Sequence, residues 1–483
     1  MGLVDYLVIG LYFLSVLCLG FRYRHQKTTK DYFLGGRKIG GLLVGISVTV
    51  TLCSAITMMG MIAFVFQSNL KLIPGLVIGL PITIPIITRL IIPFYRRLPI
   101  ITGYEYLEHR FNASVRTTAS VLFVLMRLFY LAVVIYAPSV ALTVVTGWPL
   151  QQNILLMGTV SITIAATGGM RAVIWSELIK FIAIVVSLCA ILTILWVRID
   201  GGIGEVINIA REGGRLEAFD FSTDPNVTFG FWAILLGGFF QQLSAYGADQ
   251  ITIQRYLASS SLAESQKSYR FSVSMLIPIN ILIASVGIGI YAFYQQNPVA
   301  IHGLSDADYV LPFFAVHELP AGLSGLVIAT IFSMALTTHS SGLHSVNTTI
   351  INDWFRRSNG TDNSPDHSVR TARIGVIALG VFTLVAALYI SQLGIIIIAS
   401  KKITLFFGGV LLGIFLLGMC FRRASAAGGM VGMFIGMSTV ITISQLTSIS
   451  FFWFAPIGTI ITVLSGYFLS LALPCKATDT EKL

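Results

Sequence analysis

Charged residues are scarce in this chain. Asp, Glu, Lys and Arg together make up 11% of its 483 residues, whereas they approach a quarter of an ordinary soluble domain. Hydrophobic residues reach 55%, and the mean hydropathy is +0.84. A membrane-crossing helix needs about 20 apolar residues, so the chain has room for more than a dozen. The shortage of charge excludes a soluble globular protein and indicates a polytopic membrane protein.

Cysteine is also sparse, and no recognisable nucleotide motif is present. The five cysteines show no paired or metal-ligand spacing, which argues against a disulfide framework and against a zinc site. The absence of a phosphate-cradling glycine loop argues against ATP coupling. The five positions are Cys18, Cys53, Cys189, Cys420 and Cys475.

Long apolar runs fill most of the sequence and predict an all-α fold of about thirteen transmembrane helices. The run at 312–350 is longer than one span needs, so it has room for a tilted or partly extramembrane section. The predicted spans are 3–21, 40–66, 73–95, 118–147, 152–167, 172–197, 229–254, 271–294, 312–350, 371–392, 403–421, 424–446 and 451–473.

Basic residues are distributed unevenly between alternate loops. One set of loops holds twenty-two Lys and Arg residues, and the opposite set holds only Lys71, Arg198, Arg211 and Arg215. Because cytoplasmic loops carry the excess, we expect a multi-pass protein of the plasma (inner) membrane with its N-terminus outside and its C-terminus, the short tail 476–483, in the cytoplasm. This asymmetry accounts for the net charge of +10 without a nucleic-acid partner.

Three predicted spans carry clusters of polar side chains that a lipid-facing helix would not. The second span has hydroxyls at Ser47, Thr49, Thr51, Ser54 and Thr57, the seventh runs from Gln241 to Thr252, and the ninth from Ser333 to Asn347. Ser and Thr commonly join membrane helices by hydrogen bonds. For any single hydroxyl that structural role is the simpler explanation.

The densest cluster, at 337–341, favours an ion site instead. Thr337, Thr338, Ser340 and Ser341 share one helical face, whereas His339 points elsewhere and suits a packing or gating role. Hydroxyl oxygens and freed backbone carbonyls suit Na⁺, and transporters place such sites near the membrane midplane where helices are discontinuous.

Glu177 and Lys180 are the charged pair of the predicted sixth span. They lie three residues apart on one helix, so they are expected to pair with each other.

Four stretches resemble segments of the sodium:solute symporter family. They are residues 168–177 (GGMRAVIWSE), 104–111 (YEYLEHRF), 249–257 (DQITIQRYL) and 415–424 (FLLGMCFRRA). The resemblance extends over about residues 4–473.

The resemblance implies an inverted repeat of five helices of the LeuT type. The repeat core spans about residues 40–421, with extra helices at 3–21, 424–446 and 451–473, all within one transmembrane transporter domain, 1–475. It further implies alternating access and symport of Na⁺ with a small organic solute, without enzymatic activity and with Na⁺ as coupling ion rather than any cofactor. We expect the protein to act as a monomer in the lipid bilayer.

The family's sodium sites carry over position by position. The first site is implied at the carbonyls of Val50, Cys53 and Met334 and the hydroxyls of Thr337 and Thr338. A second, which only some members have, is implied at Glu177, Ser340 and Ser341, and Thr337 is a candidate for both sites. In this sequence Glu177 replaces the usual Asp, and Lys180 stands where many members have Gln. Because Lys180 would neutralise the charge of Glu177, we expect it to disfavour sodium binding at the second site.

The solute is implied less directly. Residues 135–138 (IYAP) resemble the carriers of monocarboxylates, vitamins and iodide, and residues 294–298 (YQQNP) resemble sialic-acid carriers. Both favour an anion, with Lys401, Lys402 or Arg127 as its counter-charge. The lysine pair is equally consistent with a marker of the water boundary. Substrate contacts are implied at Ser54, Thr57, Arg127, Gln242, Tyr246, Lys401 and Lys402.

Three alternatives remain at this stage. A carrier of a neutral sugar or polyol would share the fold, although the third span lacks the polar residue that sugar carriers use. A channel would favour repeated pore loops or charge rings, and neither is evident. An intramembrane hydrolase would need Ser324 and His339 to form a dyad, although small residues that pack helices explain that motif better.

Overall fold

The computed structural model describes residues 1–22, 39–98, 100, 102–165, 170–301, 304, 306–351 and 365–472. Gly168, Gly169, Cys475 and the tail 476–483 lie outside these residues. The described part is helical apart from turns and one isolated bridge between Ile39 and Ser259. The helices are α1 (Leu3–Arg22), α2 (Gly41–Leu52), α3 (Ala55–Gln67), α4 (Leu72–Ile86), α5 (Ile92–Arg97), α6 (Gly103–Arg110), α7 (Ala113–Thr146), α8 (Leu150–Ala165), α9 (Met170–Arg198), α10 (Gly202–Glu212), α11 (Phe231–Gly247), α12 (Gln250–Leu257), α13 (Leu262–Gln296), α14 (Val310–Glu318), α15 (Leu323–Ile350), α16 (Pro365–Ala387), α17 (Ile396–Cys420), α18 (Ala426–Leu446) and α19 (Phe454–Ala472).

Eight helical segments of the described residues are long and apolar enough to cross a membrane, and the bent pair α2–α3 makes a ninth. The all-α membrane fold is therefore confirmed, while the count of thirteen spans stays a prediction. The run at 312–350 is not one helix, because α14 ends at Glu318 and α15 begins at Leu323. Pro320 explains this break, since the residue before a proline avoids the helical conformation, and Leu319 is extended with ψ at 145°.

Two of the predicted spans are interrupted, and each consists of two consecutive shorter helices. The interrupted pair α2–α3 bends by 50° at Cys53 and Ser54. The other, α11–α12, breaks at Ala248 and Asp249. α2 packs along α9 and α13, while α7 packs along α15 and α17. Gly60 allows α3 to approach α17, because a Cβ there would lie 2.6 Å from the Ile397 nitrogen.

Tyrosine hydroxyls occupy the carbonyls that the α11–α12 break leaves open. Tyr256 donates to the carbonyl of Tyr246 at 3.0 Å, Tyr95 to that of Gly247 at 2.6 Å, and Tyr104 to that of Ala248 at 2.8 Å. The last carbonyls of a helix lack partners within it, and in an apolar interior each must find one. Tyr104 belongs to the stretch 104–111 and Tyr256 to 249–257, so both family-like stretches help to complete this break.

The first helix caps the start of α15. The Asp5 carboxylate accepts hydrogen bonds from the backbone nitrogens of Gly322 at 2.7 Å and Gly325 at 3.0 Å, and also from Gly2 at 2.7 Å. Gly325 must be glycine for this contact, since a Cβ there would lie 2.5 Å from the Asp5 carbonyl oxygen. A carboxylate at a helix N-terminus satisfies unpaired donors and opposes the positive end of the helix dipole. α1 therefore holds the N-terminal end of α15.

We expect Asp5→Ala to destabilise the protein by about 1–2 kcal/mol, the usual cost of losing a helix cap. The matched control is Asp5→Asn, which keeps one oxygen for Gly322 and Gly325 and should lose less. Thermal unfolding of the purified proteins in the same detergent measures both. Equal thermal midpoints for wild type and Asp5→Ala would show that the cap does not hold α15.

A second carboxylate links the segment before α14 to the start of α17. Asp308 lies in a 3₁₀ turn at Ala307–Tyr309, is 3% exposed, and accepts from the Ile396 nitrogen at 3.0 Å. Burial raises the pKa of Asp308 to about 7, while the hydrogen bond from Ile396 opposes that rise and nearby Asp306 adds to it. The contact is therefore sensitive to pH near neutrality.

We expect the stability contributed by Asp308 to be fully present below about pH 4, because the carboxyl is then protonated whether the chain is folded or unfolded. It should be lost as the pH rises to about 7, since the unfolded chain releases this proton more readily than the folded one. Thermal unfolding of wild type and Asp308→Asn across this range measures the difference. Asp308→Asn should flatten the dependence of stability on pH. The control substitution Asp224→Asn, at an exposed position, should not. Parallel profiles for wild type and Asp308→Asn would contradict the assignment.

Candidate functional site

A cavity of about 140 Å³ lies where the two interrupted helices meet α7, α15 and α17. Both breaks border it, through Thr51 and Leu52 on one side and Asp249 on the other. Its remaining lining is Ile56, Thr57, Met126, Arg127, Tyr130, Gln241, Gln242, Ser244, Ala245, Ile251, Thr252, Thr338, Ser341, Ile397, Ser400, Lys401 and Thr404. The fold therefore brings together Thr57, Arg127, Gln242 and Lys401 from the predicted substrate site with Thr338 and Ser341 from the predicted ion sites.

The carbonyls at the α2–α3 break remain open, unlike those at the α11–α12 break. Within the described residues, the carbonyl oxygens of Val50 and Cys53 accept no hydrogen bond beyond α2, although both residues are buried. The Ser54 hydroxyl at the same break is buried without a partner. Buried carbonyls are normally paired, so this break has oxygens available for a cation.

The hydroxyls of α15 divide between two environments. Thr338 and Ser341 line the cavity. Thr337 instead donates to the carbonyl of Ser333 at 2.7 Å, with a longer contact to that of Met334 at 3.4 Å, and it accepts from the Lys180 ammonium at 2.5 Å. A hydroxyl has two lone pairs, so Thr337 keeps one acceptor site.

Glu177 pairs across helices rather than along its own. Its carboxylate accepts from the Arg255 guanidinium at 2.9 Å, from Thr51 at 3.3 Å and from Ser47. The sequence-based expectation of a Glu177–Lys180 ion pair is wrong, because Arg255 of α12 takes the carboxylate and Lys180 turns to Thr337. This network joins α2, α9 and α12.

Arg127 and Lys401 are the two basic residues at the cavity, and they differ in how they are compensated. Arg127 forms an ion pair with Asp249, whose carboxylate also caps α12 by accepting from Ile251. Lys401 donates to the neutral Gln241 at 2.7 Å, and no described carboxylate pairs with it. Arg127 was one of three predicted counter-charges for the solute, and in the structure Asp249 compensates its charge, whereas Lys401 has no described carboxylate partner.

Other predicted substrate residues face elsewhere. The ring of Tyr246 packs on Tyr269 with centroids 4.4 Å apart, and the ammonium of Lys402 lies over the ring of Phe451 at 5.9 Å. Neither residue lines the cavity, and nor does Ser54. Gln242 does line it, and its carbonyl oxygen is buried without a partner.

The Ser–His dyad of the hydrolase alternative does not form. His339 is fully buried, with Nδ1 2.8 Å from the Ser161 hydroxyl and Nε2 2.9 Å from that of Thr383. Both ring nitrogens are therefore engaged by α8 and α16, while the Ser324 hydroxyl is buried without a partner. His339 is a packing residue of α15, as its position in the sequence suggested.

Several cavity residues were not among the site residues predicted from the sequence, and two of them, Gln241 and Asp249, contact the cavity's basic residues. Gln241 bridges Lys401 and the hydroxyl of Thr404, and Asp249 binds Arg127. Both were visible as polar residues of the seventh span, but their partners lie more than a hundred residues away in the chain. Position alone did not reveal those contacts.

Comparisons with known proteins agree with this arrangement. The profile of the sodium:solute symporter family matches residues 32–436. The chain is 29% identical over 473 residues to the sodium/sialic acid symporter NanT of Aliivibrio fischeri, covering 96% of this chain and 92% of that protein. It is 31% identical over 481 residues to the sodium-dependent multivitamin transporter of Oryctolagus cuniculus, covering 96% and 72%.

Solved structures point the same way. A Na⁺-coupled sialic acid symporter in a substrate-bound, outward-open state superposes with a TM-score of 0.88 at 28% identity, covering 98% of this chain and 99% of that one. Mhp1, a nucleobase-cation-symport-1 transporter, has a TM-score of 0.63 at 11% identity, covering 93% and 96%, and shares only the fold. The expected LeuT-type architecture and transporter class are confirmed, and the chain belongs to the sodium:solute symporter family.

Proposed function

We propose that this symporter uses Na⁺ to import a small organic anion held in the central cavity against Lys401. The observation that carries this proposal is the ammonium of Lys401, which lines the cavity and, among the described residues, donates only to the neutral amide of Gln241. A cation that loses hydration without a counter-charge is costly in an apolar interior. A carboxylate bound there would supply that counter-charge.

The names of several relatives support an anion. NanT and SiaT are sodium/sialic acid symporters, and another relative is the sodium-coupled monocarboxylate transporter 1 of Homo sapiens. Thr57 and the unpaired carbonyl oxygen of Gln242 lie in the same cavity and would orient the rest of the solute. We therefore favour a sialic acid or another carboxylate over a neutral sugar or polyol.

Sodium would bind beside the solute, at the α2–α3 break. The open carbonyls of Val50 and Cys53 and the hydroxyl of Thr338 are the hard oxygens that such an ion prefers, with Met334 and Thr337 completing the set. The second-site residues Ser340 and Ser341 each donate to a carbonyl of α15 at 3.2 Å. Because the cavity borders both α15 and the break, Na⁺ bound there would stabilise the solute-binding arrangement.

The setting of the protein follows the same proposal. Loop charge supports a plasma (inner) membrane protein with its N-terminus outside and its C-terminus in the cytoplasm. We propose a monomer in the bilayer, with a repeat core at about 40–421 inside the transporter domain 1–475. α18 and α19 pack against each other and against α17, which agrees with helices added outside that core.

Uptake by purified protein in proteoliposomes tests the choice of solute. N-acetylneuraminate, lactate, glucose and sorbitol are offered separately, each radiolabelled, under the same inward Na⁺ gradient. We expect accumulation of one of the two anions and none of the neutral compounds. Accumulation of glucose or sorbitol with no response to either anion would overturn the proposal in favour of a neutral solute.

A further inference from the structure

Lys180 places a buried positive charge beside the predicted ion sites. The side chain lies on α9, has 0% exposure, and its ammonium donates to Thr337 at 2.5 Å and to Ser176 at 3.4 Å. An ionised group inside a membrane bundle normally faces a functional partner. Here that partner is a hydroxyl that the family resemblance assigns to a sodium ion.

Glu177, the carboxylate three residues before Lys180, already accepts hydrogen bonds from other side chains. Glu177 binds Arg255, Ser47 and Thr51, which together approach both of its oxygens. Glu177 is the only acid of the predicted second sodium site, so a sodium ion there would have to compete with a buried guanidinium. Arg255 itself is 2% exposed and held by Ser47 and by the carbonyl of Ile251.

The charge balance of this cluster leaves no room for another cation. Glu177 contributes one negative charge, whereas Arg255 and Lys180 contribute two positive charges. A sodium ion about 4 Å from the ammonium would be strongly repelled, because two like charges at that distance are poorly screened inside a membrane bundle. The residues present therefore do not fit a second sodium ion.

We infer that the ammonium of Lys180 takes the place of a second sodium ion beside Thr337, so that the protein binds a single Na⁺. This inference rests on the proposed function, because it assumes that Na⁺ binds at the α2–α3 break. Of the two hydroxyls assigned to that ion, Thr337 is occupied by the ammonium, whereas Thr338 lines the cavity. The single Na⁺ is therefore held by Thr338 and the open carbonyls of the break. Lys180 thus sets the number of coupling ions by supplying a fixed charge where a mobile one would otherwise bind.

Equilibrium binding of radiolabelled Na⁺ to the purified protein, without any solute, tests this inference. Choline keeps the ionic strength constant. Wild type is expected to bind one sodium ion per chain at saturation. Two sodium ions per chain would overturn the inference while leaving Na⁺ coupling intact. No bound sodium would overturn both the inference and the proposed sodium site, so the two failures are distinguishable.

Substitution of Lys180 provides the second test of this inference. Lys180→Gln and Lys180→Met remove the charge, and saturation binding to either is expected to rise from one sodium ion per chain to two. The matched control is Arg198→Gln, which removes a cation from the far end of the same helix, where Arg198 pairs with Glu318 at 2.9 Å, and should leave the value at one. Monodisperse variants that both bind one sodium ion with wild-type affinity would show that Lys180 only packs, and would overturn the inference.

Discussion

Thr338→Ala should raise the half-saturating Na⁺ concentration at least about tenfold, because the loss of a polar ligand to a charged group costs about 1.5–3 kcal/mol. Thr338 lines, from α15, the same cavity that the break between α2 and α3 borders. The measurement is the sodium dependence of solute uptake in proteoliposomes at fixed ionic strength. Thr338→Ser keeps the hydroxyl and should restore most of the affinity.

Ser345→Ala is the matched control for this substitution. Ser345 lies on the same helix, is buried, and has an unpaired hydroxyl, but it does not line the cavity. It should change the half-saturating Na⁺ concentration less than about twofold, which is under 0.5 kcal/mol. If both alanine variants shift the sodium dependence equally, the hydroxyls of α15 act as packing contacts and the ion site lies elsewhere.

Lys401→Gln should weaken solute binding by ~1.5–3 kcal/mol, or about 10- to 150-fold in Kd. The cause is the loss of a charge-assisted bond to the carboxylate, which is about twice as strong as a neutral one. Sodium binding in the absence of solute should stay close to wild type, because Lys401 is no part of the break at Cys53. Titration calorimetry with the transported solute, in saturating Na⁺, measures the first effect.

Lys402→Gln removes the adjacent charge and serves as the control. Lys402 is exposed and lies over Phe451 outside the cavity. It should leave the Kd of the solute within about twofold. A Lys401→Gln protein that binds the solute with wild-type affinity would contradict the role of Lys401 and favour the reading in which both lysines only mark the water boundary. Arg127 is a poorer test, because its removal also strands the buried carboxylate of Asp249.

The sequence predicted the features of this site that depend on neighbouring residues. The hydroxyl run on α15 was evident from local pattern, whereas the break near Cys53 was implied by the family resemblance. Residues 104–111 and 249–257 were recognised as motifs, yet their purpose was not, because Tyr104 and Tyr256 act on carbonyls of another helix. Contacts across the bundle depend on how helices pack, and a single sequence does not encode them in any local spacing.

The charged residues show the same limit most clearly. Helical spacing predicted that Lys180 would pair with Glu177 three residues away. The structure instead pairs Glu177 with Arg255, which is 78 residues distant, and turns Lys180 to Thr337, which is 157 residues distant. A buried charged side chain is stabilised by the partner whose hydrogen bonds or opposite charge best replace its lost hydration. Here those partners lie on other helices. Local spacing identified the participants but misassigned their pairing.

Coupling to sodium is the central claim, and solute accumulation against its own gradient tests it most directly. Proteoliposomes are loaded to give an inward Na⁺ gradient, and the internal concentration of the transported anion is followed over time. The account predicts accumulation above the external concentration, abolished when choline replaces Na⁺ or when a sodium ionophore dissipates the gradient. Equal accumulation in choline and in Na⁺, or accumulation driven by a proton gradient alone, would contradict it.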